Sequence, residues 1–437
     1  MARRSIRSVD RPSHQRYWTH RLVVTSVRAT TNGVEMQLNF RANSHRCRIY
    51  SGDNALASLP AELTRSGIRR AAILCGNSVA KRTGLISALR DLLGESCAGV
   101  FDQAGRHATL ESVQAAAALV RDVDGDGLIA VGAGSVMMSA RLAAILLAER
   151  APLHTLVTTY REDGPAVSPR LDAPKLPIFN VLTAPTNAQN RGGSAMRDPD
   201  GERRLEMFDP KTRPAAIFWD PQALRTAPPR LMKAAGLTVF WWSLMTLGGV
   251  ASANPLSCAD RRQSFDLALQ ALPRLTDEHD DEARIAMCAA AFLQNRDEDD
   301  GGQPFEVHWV FKVCYALASG IFTKDEGIDP GPVYVALTAP AIEHFAERNL
   351  AQLRSMCLAL GNVTPLEASA ATPERIARSV REFFAGVGET RRLRDLGVAR
   401  EALPAIRDFA LRNYNADRGR QLRGEVARLD ETLGAAW

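Results

Sequence analysis

The sequence predicts an α/β domain built on a parallel sheet, followed by an all-α helical bundle domain. Two observations carry this. Through residues 48–182 short apolar runs alternate with stretches of helical spacing, the pattern of βαβ crossovers around a sheet covered on both faces. Beyond Pro229 strand signals fade, and apolar residues recur every three or four positions almost to the C-terminus. At about 150 residues per domain, a chain of 437 residues has room for two or three cores. We divide it into a loose N-terminal tail at 1–20, a sheet domain at 21–228 and a helical domain at 229–437.

Taken in order, the tail carries Arg3, Arg4, Arg7, Arg11 and Arg16 but no apolar segment, so it does not read as an export signal. Alternating residues at 22–27 and 34–40 flank Asn32-Gly33, a pair suited to the positive φ angles of a tight hairpin turn. Strands are expected at 71–75, 97–101, 127–131 and 176–182, with helices at 85–93, 110–120 and 136–148 between them. The bundle helices fall at 230–250, 263–273, 282–293, 307–321, 333–359, 373–386 and 399–434. The most apolar run, 237–250, is shorter than the ~20 residues that span a bilayer, so no membrane association is expected.

Composition narrows the function. Hydrophobic residues make up 46% and charged residues 24%, ordinary for a soluble globular protein. The net charge of +5 is spread along the chain, without the basic stripe of a nucleic-acid binder. Seven scattered cysteines with no CxxC argue against a disulfide scaffold or zinc ribbon and for a reducing cytoplasm.

The main ligand signal is Gly132-Ala133-Gly134-Ser135, which follows an apolar strand and opens a helix of small residues. Glycines at such a turn let backbone N–H groups and the positive end of the helix approach a diphosphate. Thr186 and Asn187, after the next strand, are placed to line the same cleft, and Gly192-Gly193-Ser194 follows them.

Together these segments resemble the iron-containing alcohol dehydrogenase superfamily, and within it the maleylacetate reductase branch, over roughly residues 46–430. Arg48-Ile-Tyr-Ser-Gly52 is similar to the opening strand and turn, Gly132–Ser135 to GGGS, and Pro185-Thr-Asn-Ala188 to the start of PTTxxGSE. Trp219-Asp-Pro221, Ala253-Asn-Pro-Leu-Ser257, Lys312-Val-Cys314 and Leu393-Arg-Asp-Leu-Gly397 follow in the family's order. The resemblance implies a Rossmann-like, dehydroquinate synthase-like fold, a nicotinamide cofactor and a homodimer.

Departures from the family pattern fall at the chemistry. The positions that hold Asp and His metal ligands in relatives read Thr238, Trp242, Phe311 and Tyr315, and the PHG turn reads Asp329-Pro330-Gly331. Thr is a poor ligand, and Trp and Phe offer no lone pair to iron or zinc, so no catalytic metal is expected. Met138, Arg141 and Ala195 replace the family's Asp, Lys and Glu.

Hydride chemistry on a carbonyl then needs another electrophile or proton donor. Tyr315, at a matched His position, is the first candidate proton donor. Lys312, three residues earlier on one helical face, is a candidate for stabilising an oxyanion or holding a carboxylate, and His308 is the third candidate. The cofactor is NAD(H) or NADP(H), since no acidic residue closely follows Cys75-Gly76-Asn77-Ser78 to repel a 2′-phosphate. The function these features imply is a metal-independent NAD(P)-dependent oxidoreductase acting on an alcohol/ketone pair or an activated double bond. Two alternatives remain: a non-catalytic scaffold homologue, and a tailoring dehydrogenase whose substrate is borne on a peptide or carrier rather than free.

Overall fold

The computed structural model describes residues 37–105, 108–160, 166–197, 204–325 and 327–437. The expected tail and most of the expected hairpin lie outside these residues. Of the second predicted hairpin strand, residues 37–40 are exposed and carry no strand.

Ten strands occur among the described residues: β1 (Arg48–Ser51), β2 (Ala71–Cys75), β3 (Cys97–Phe101), β4 (Gly127–Gly132), β5 (Thr159–Tyr160), β6 (Ala166–Val167), β7 (Ile178–Leu182), β8 (Gly193–Arg197), β9 (Arg204–Phe208) and β10 (Ala216–Trp219). Six of them form a parallel sheet in the order β1-β10-β7-β4-β2-β3. β2, β4 and β7 are buried along their whole length. That explains their largely apolar character, broken in β7 only by the buried Asn180, whose amide donates to the Gln189 carbonyl: a strand covered on both faces has no reason to alternate. One face packs Leu128, Ala130, Ile178 and Ile217 against the helices Leu110–Asp122 and Gly134–Ala148. The other packs Ile73, Ile129, Phe179 and Phe218 against Leu59–Arg65 and Leu85–Leu93.

The chain leaves the sheet through Asp220, whose carboxylate caps the short helix Pro221–Leu224, and enters the helical layer at Pro229–Leu247. That helix packs against Pro255–Ala271 and Pro330–Phe345, with Trp309–Lys324 beside the latter. Their side chains form a separate core containing Trp241, Phe311, Leu317 and Phe345. Among the described residues no helix is long and apolar enough to cross a membrane.

Several elements differ from expectation. Gly193–Arg197 is the first strand of the β8–β9 hairpin, which the sequence analysis did not single out. β10 supplies a sheet strand that hydropathy did not single out. The expected helix at 333–359 is two, Pro330–Phe345 and Leu350–Ala359, separated by a tight turn at Ala346–Asn349. Only Leu403–Ala410 and Val426–Ala436 are α-helical within 399–434.

Candidate functional site

β4 and β7 lie side by side, and the Thr183 amide donates to the Gly132 carbonyl at 3.0 Å just beyond their ends. A cleft of about 1320 Å³ opens there, between the sheet and the helical layer. Ligands in parallel sheets sit at this carboxyl edge.

Its floor begins at the glycine corner. The helix Gly134–Ala148 starts with no side-chain cap, leaving its first N–H groups directed outward. A Cβ on Gly134 would lie 2.9 Å from the Thr186 hydroxyl, so only glycine lets the two turns meet this closely. Thr186 Oγ1 in turn accepts from the Ala188 amide at 3.1 Å. The Asn187 carbonyl accepts from Asn295 Nδ2 at 2.7 Å, while Asn187 Oδ1 is buried without a partner. Of the residues expected to hold a cofactor, Ala133, Gly134, Ser135, Thr186 and Asn187 line the cleft, and Gly132 lies beneath it as the last residue of β4.

The helical wall is aromatic. Trp242 meets Phe311 edge-on at 5.0 Å and Tyr315 at 5.7 Å, and Phe305 lies 4.5 Å from Tyr315. Trp242 Nε1 is buried without a hydrogen-bond partner, and the Arg191 guanidinium sits 5.5 Å from the indole centre. Trp241 is turned away into the core, stacked on Tyr334 at 4.0 Å and donating to Thr338 Oγ1 at 2.8 Å. Tyr315 lines the cleft with its phenol pKa raised, chiefly by burial. Arg191 and Arg204 work against the rise, and Glu206 and Glu298 add to it.

The two other proposed acid–base groups do not line the cleft. Lys312 is a buried strut: its ammonium donates to Gln421 Oε1 at 2.8 Å and lies 3.7 Å from both Asp417 and Glu306. His308 is the N-cap of Trp309–Lys324, fully enclosed between the Phe311 amide and the Met245 carbonyl. Burial pushes its pKa down to about 4. Placing these two groups at the reacting centre is therefore corrected, because their hydrogen bonds are already spent inside the helical layer. Cys314 is buried beside them, its thiol pKa raised by desolvation.

Sequence reasoning missed the charges contributed by β8, β9 and their neighbours. Arg191 donates to Asn295 Oδ1 and Glu298 Oε1, both at 2.6 Å. Arg213 makes a two-pronged pair with Asp299 at 2.7 and 2.8 Å. Arg204 and Glu206 come from the β9 hairpin strand, and Glu206 joins Tyr160 and Asn415 at the rim.

The profile of the iron-containing alcohol dehydrogenase family matches residues 47–221, from the opening strand through the end of the sheet. Over that stretch the chain is similar to iron-containing alcohol dehydrogenases. Among its curated relatives, the chain is 29% identical to maleylacetate reductase 2 of Cupriavidus pinatubonensis over 255 residues. That stretch is 58% of this chain but only 62% of that protein. It is 24% identical to the maleylacetate reductase of Sphingobium indicum over 370 residues, 84% of this chain and 89% of the relative. The archaeal halo-thermophilic alcohol dehydrogenase of a Red Sea brine pool superposes with a TM-score of 0.76 at 17% identity, covering 92% of this chain and all of that one.

The name of the matched family implies iron, but the side chains at the positions that the sequence resemblance pairs with its metal ligands do not fit a metal ion. At the matched positions Thr238 donates its hydroxyl to the Ala234 carbonyl, Phe311 is fully buried, and Trp242 and Tyr315 form the aromatic wall. Asp329 is the one carboxylate contributed by these positions, and among the described residues no three His, Cys, Asp or Glu side chains converge. The glycine corner, by contrast, fits a dinucleotide: glycine at the close approach, an uncapped helix start and the Ser135 hydroxyl face one cavity.

Proposed function

We propose that the protein is an NAD(P)-dependent oxidoreductase that interconverts an alcohol and a carbonyl, or reduces an activated double bond, without a metal at the superfamily's usual position. The observation that carries this reading is the Gly134 corner, closed to any side chain by Thr186 yet open to the cleft. Backbone N–H groups at 133–135, with the Thr186 and Asn187 side chains, are the groups that would hold the diphosphate. The nicotinamide supplies or accepts hydride when bound.

The chain's own residues do the rest. A phenol already holds its proton at neutral pH, and burial of Tyr315 strengthens that hold. It therefore donates a hydrogen bond to a substrate carbonyl and stabilises negative charge as it develops on that oxygen. An alkoxide is a stronger base than a phenolate, so passing the proton to the reduced product is downhill. Trp242 and Phe305, backed by the buried Phe311, give this side of the cleft an apolar surface, which strengthens the Tyr315 interaction. A scaffold role would suit a cleft filled by its tryptophans, whereas Trp242 forms a wall beside open volume.

Titration with NADH and NADPH, followed by energy transfer from protein tryptophan, tests the reading. Saturable binding of at least one is expected, abolished by Gly134→Val and retained by Tyr315→Phe. With any substrate that turns over, Tyr315→Phe should lower kcat by about 10²-fold or more. No binding of either nucleotide at millimolar concentration would overturn the reading.

A further inference from the structure

No metal-ligating cluster forms among the described residues, but a fixed cation stands beside the aromatic wall. The Arg191 guanidinium lies 5.5 Å from the centre of the Trp242 indole, and the Tyr315 ring lies 5.7 Å from the same indole. All three side chains line the cleft. Arg191 is held in place by the helix Asp281–Asp299: its Nε donates to Asn295 Oδ1 and one Nη to Glu298 Oε1, both at 2.6 Å. Those bonds use two of the five N–H groups of a guanidinium, and the other three find no acceptor among the described residues. The Tyr315 hydroxyl likewise has no hydrogen-bond partner there.

Other arginines of the cleft are committed elsewhere. Arg213 is gripped by Asp299, and Arg141 donates to the Ser194 hydroxyl and the Ala188 carbonyl. Of the charges that bear on the Tyr315 phenol, Arg191 is the strongest, ahead of Arg204 and of its own partner Glu298. The pair with Glu298 therefore orients the guanidinium without cancelling its field at the phenol. The sequence also makes room for this side chain. Between Asn187 and Gly193 stand five residues where PTTxxGSE has two, and Arg191 is among them.

We propose that Arg191 is the electrostatic partner of Tyr315, a fixed cation that stabilises the negative charge developing on the substrate oxygen. This rests on the oxidoreductase reading above and deepens it by naming a second group of the reacting centre. When hydride reaches the carbonyl carbon, the π pair of the C=O bond moves onto oxygen. Tyr315 passes its proton to that oxygen, and the phenolate left behind takes a proton from water. Negative charge thus appears first on the substrate and then on the phenol, and a guanidinium near both stabilises each in turn. The surrounding rings make that attraction stronger than it would be in water.

4-Nitrophenol is the probe that tests this. Its flat ring suits the Trp242 wall, its oxygen mimics the developing oxyanion, and its coloured phenolate reports ionisation directly. It is titrated, at one pH below its own pKa, with the wild type, Arg191→Gln, Arg191→Lys, Glu298→Gln and Tyr315→Phe. Affinities for NADH and NADPH are measured for each protein. In the wild type the phenolate-to-phenol ratio of the bound probe should exceed that of the free probe by about tenfold or more. Arg191→Gln should remove most of that gain, Arg191→Lys should keep part of it, and Tyr315→Phe should reduce it. Glu298→Gln cuts a tie to the same helix but leaves the cation, so its ratio should equal or exceed that of the wild type. Arg191→Lys keeps the charge, so it preserves the test if the Gln variant does not fold. A purely structural Arg191 would make Arg191→Gln and Glu298→Gln fall together, and that result would overturn the proposal. So would absence of probe binding, or a ratio that Arg191→Gln or Tyr315→Phe leaves unchanged. Nucleotide binding that survives such a failure would leave the oxidoreductase reading standing. An Arg191-dependent ratio in a protein that binds neither nucleotide would keep the oxyanion site and remove that reading instead.

Discussion

The imidazole of His308 is held in one tautomer. Nδ1 accepts from the Phe311 amide at 3.1 Å, so the proton resides on Nε2, which donates to the Met245 carbonyl at 2.9 Å. Protonating Nδ1 would break the helix cap and bury a charge, which is why the folded pKa falls to about 4. An unfolded chain takes up that proton near pH 6.5. Between those values the unfolded state binds more protons, so stability is full above the window and is lost as pH falls through it. We expect the urea-unfolding free energy to include a loss of about 2–3 kcal/mol from this group between pH 7 and pH 4.5. His308→Asn retains an acceptor for the cap and does not titrate there, so its loss over the same range should be smaller by that amount. Equal losses in the two proteins would remove His308 as the cause. The residue type was legible in the sequence, but its role was not. An N-cap and a catalytic base look alike until the side of the helix that meets Met245 is known.

Elements were legible where periodicity is long or burial complete. The buried runs of β2 and β4 and the amphipathic helices Leu85–Leu93 and Pro373–Gly386 fall where apolar spacing put them. β10 has four residues, too few to display a period, and the β8–β9 ladder mixes Gly, Ser, Arg and Glu with Ala, Met, Leu and Phe in two runs of five. Its pairing, not its hydropathy, makes it a hairpin, so the charges it brings to the cleft were out of reach. The turn at 329–331 tells the opposite story. Asp329-Pro330-Gly331 was read for the ligand it lacks, but its glycine has a packing reason to be there. A Cβ on Gly331 would lie 2.3 Å from the Ala234 carbonyl and 2.7 Å from Leu237 Cβ, so glycine sets how closely Pro330–Phe345 approaches Pro229–Leu247. Gly331→Ala must push those helices apart, at a cost of about 1–3 kcal/mol. A fall in the thermal midpoint with a change in Trp242 emission is the expected result, and an unaltered melt would show that the helices are not in contact there.

At the scale of the whole molecule, the cleft survives only if its two walls are held at a fixed separation, and the ties are ionic as well as apolar. Arg213, from the sheet side, grips Asp299 at the end of the helix Asp281–Asp299 with two prongs, each side chain 16% exposed. Arg191 reaches Asn295 and Glu298 on the same helix. These partners stand 86 to 107 positions apart in the chain, so no local pattern announces them. Partial burial and paired geometry place the Arg213–Asp299 link above an ordinary surface ion pair, while the remaining solvent keeps it below a fully enclosed one. A double-mutant cycle with Arg213→Met and Asp299→Asn should give a coupling of about 1–3 kcal/mol by urea unfolding. Because the pair joins the walls rather than either core, the single variants should weaken nucleotide binding while far-UV ellipticity and tryptophan emission still lose structure together. A coupling near zero, or separate transitions for the two probes already in the wild type, would mean that the halves are positioned by their apolar contact alone.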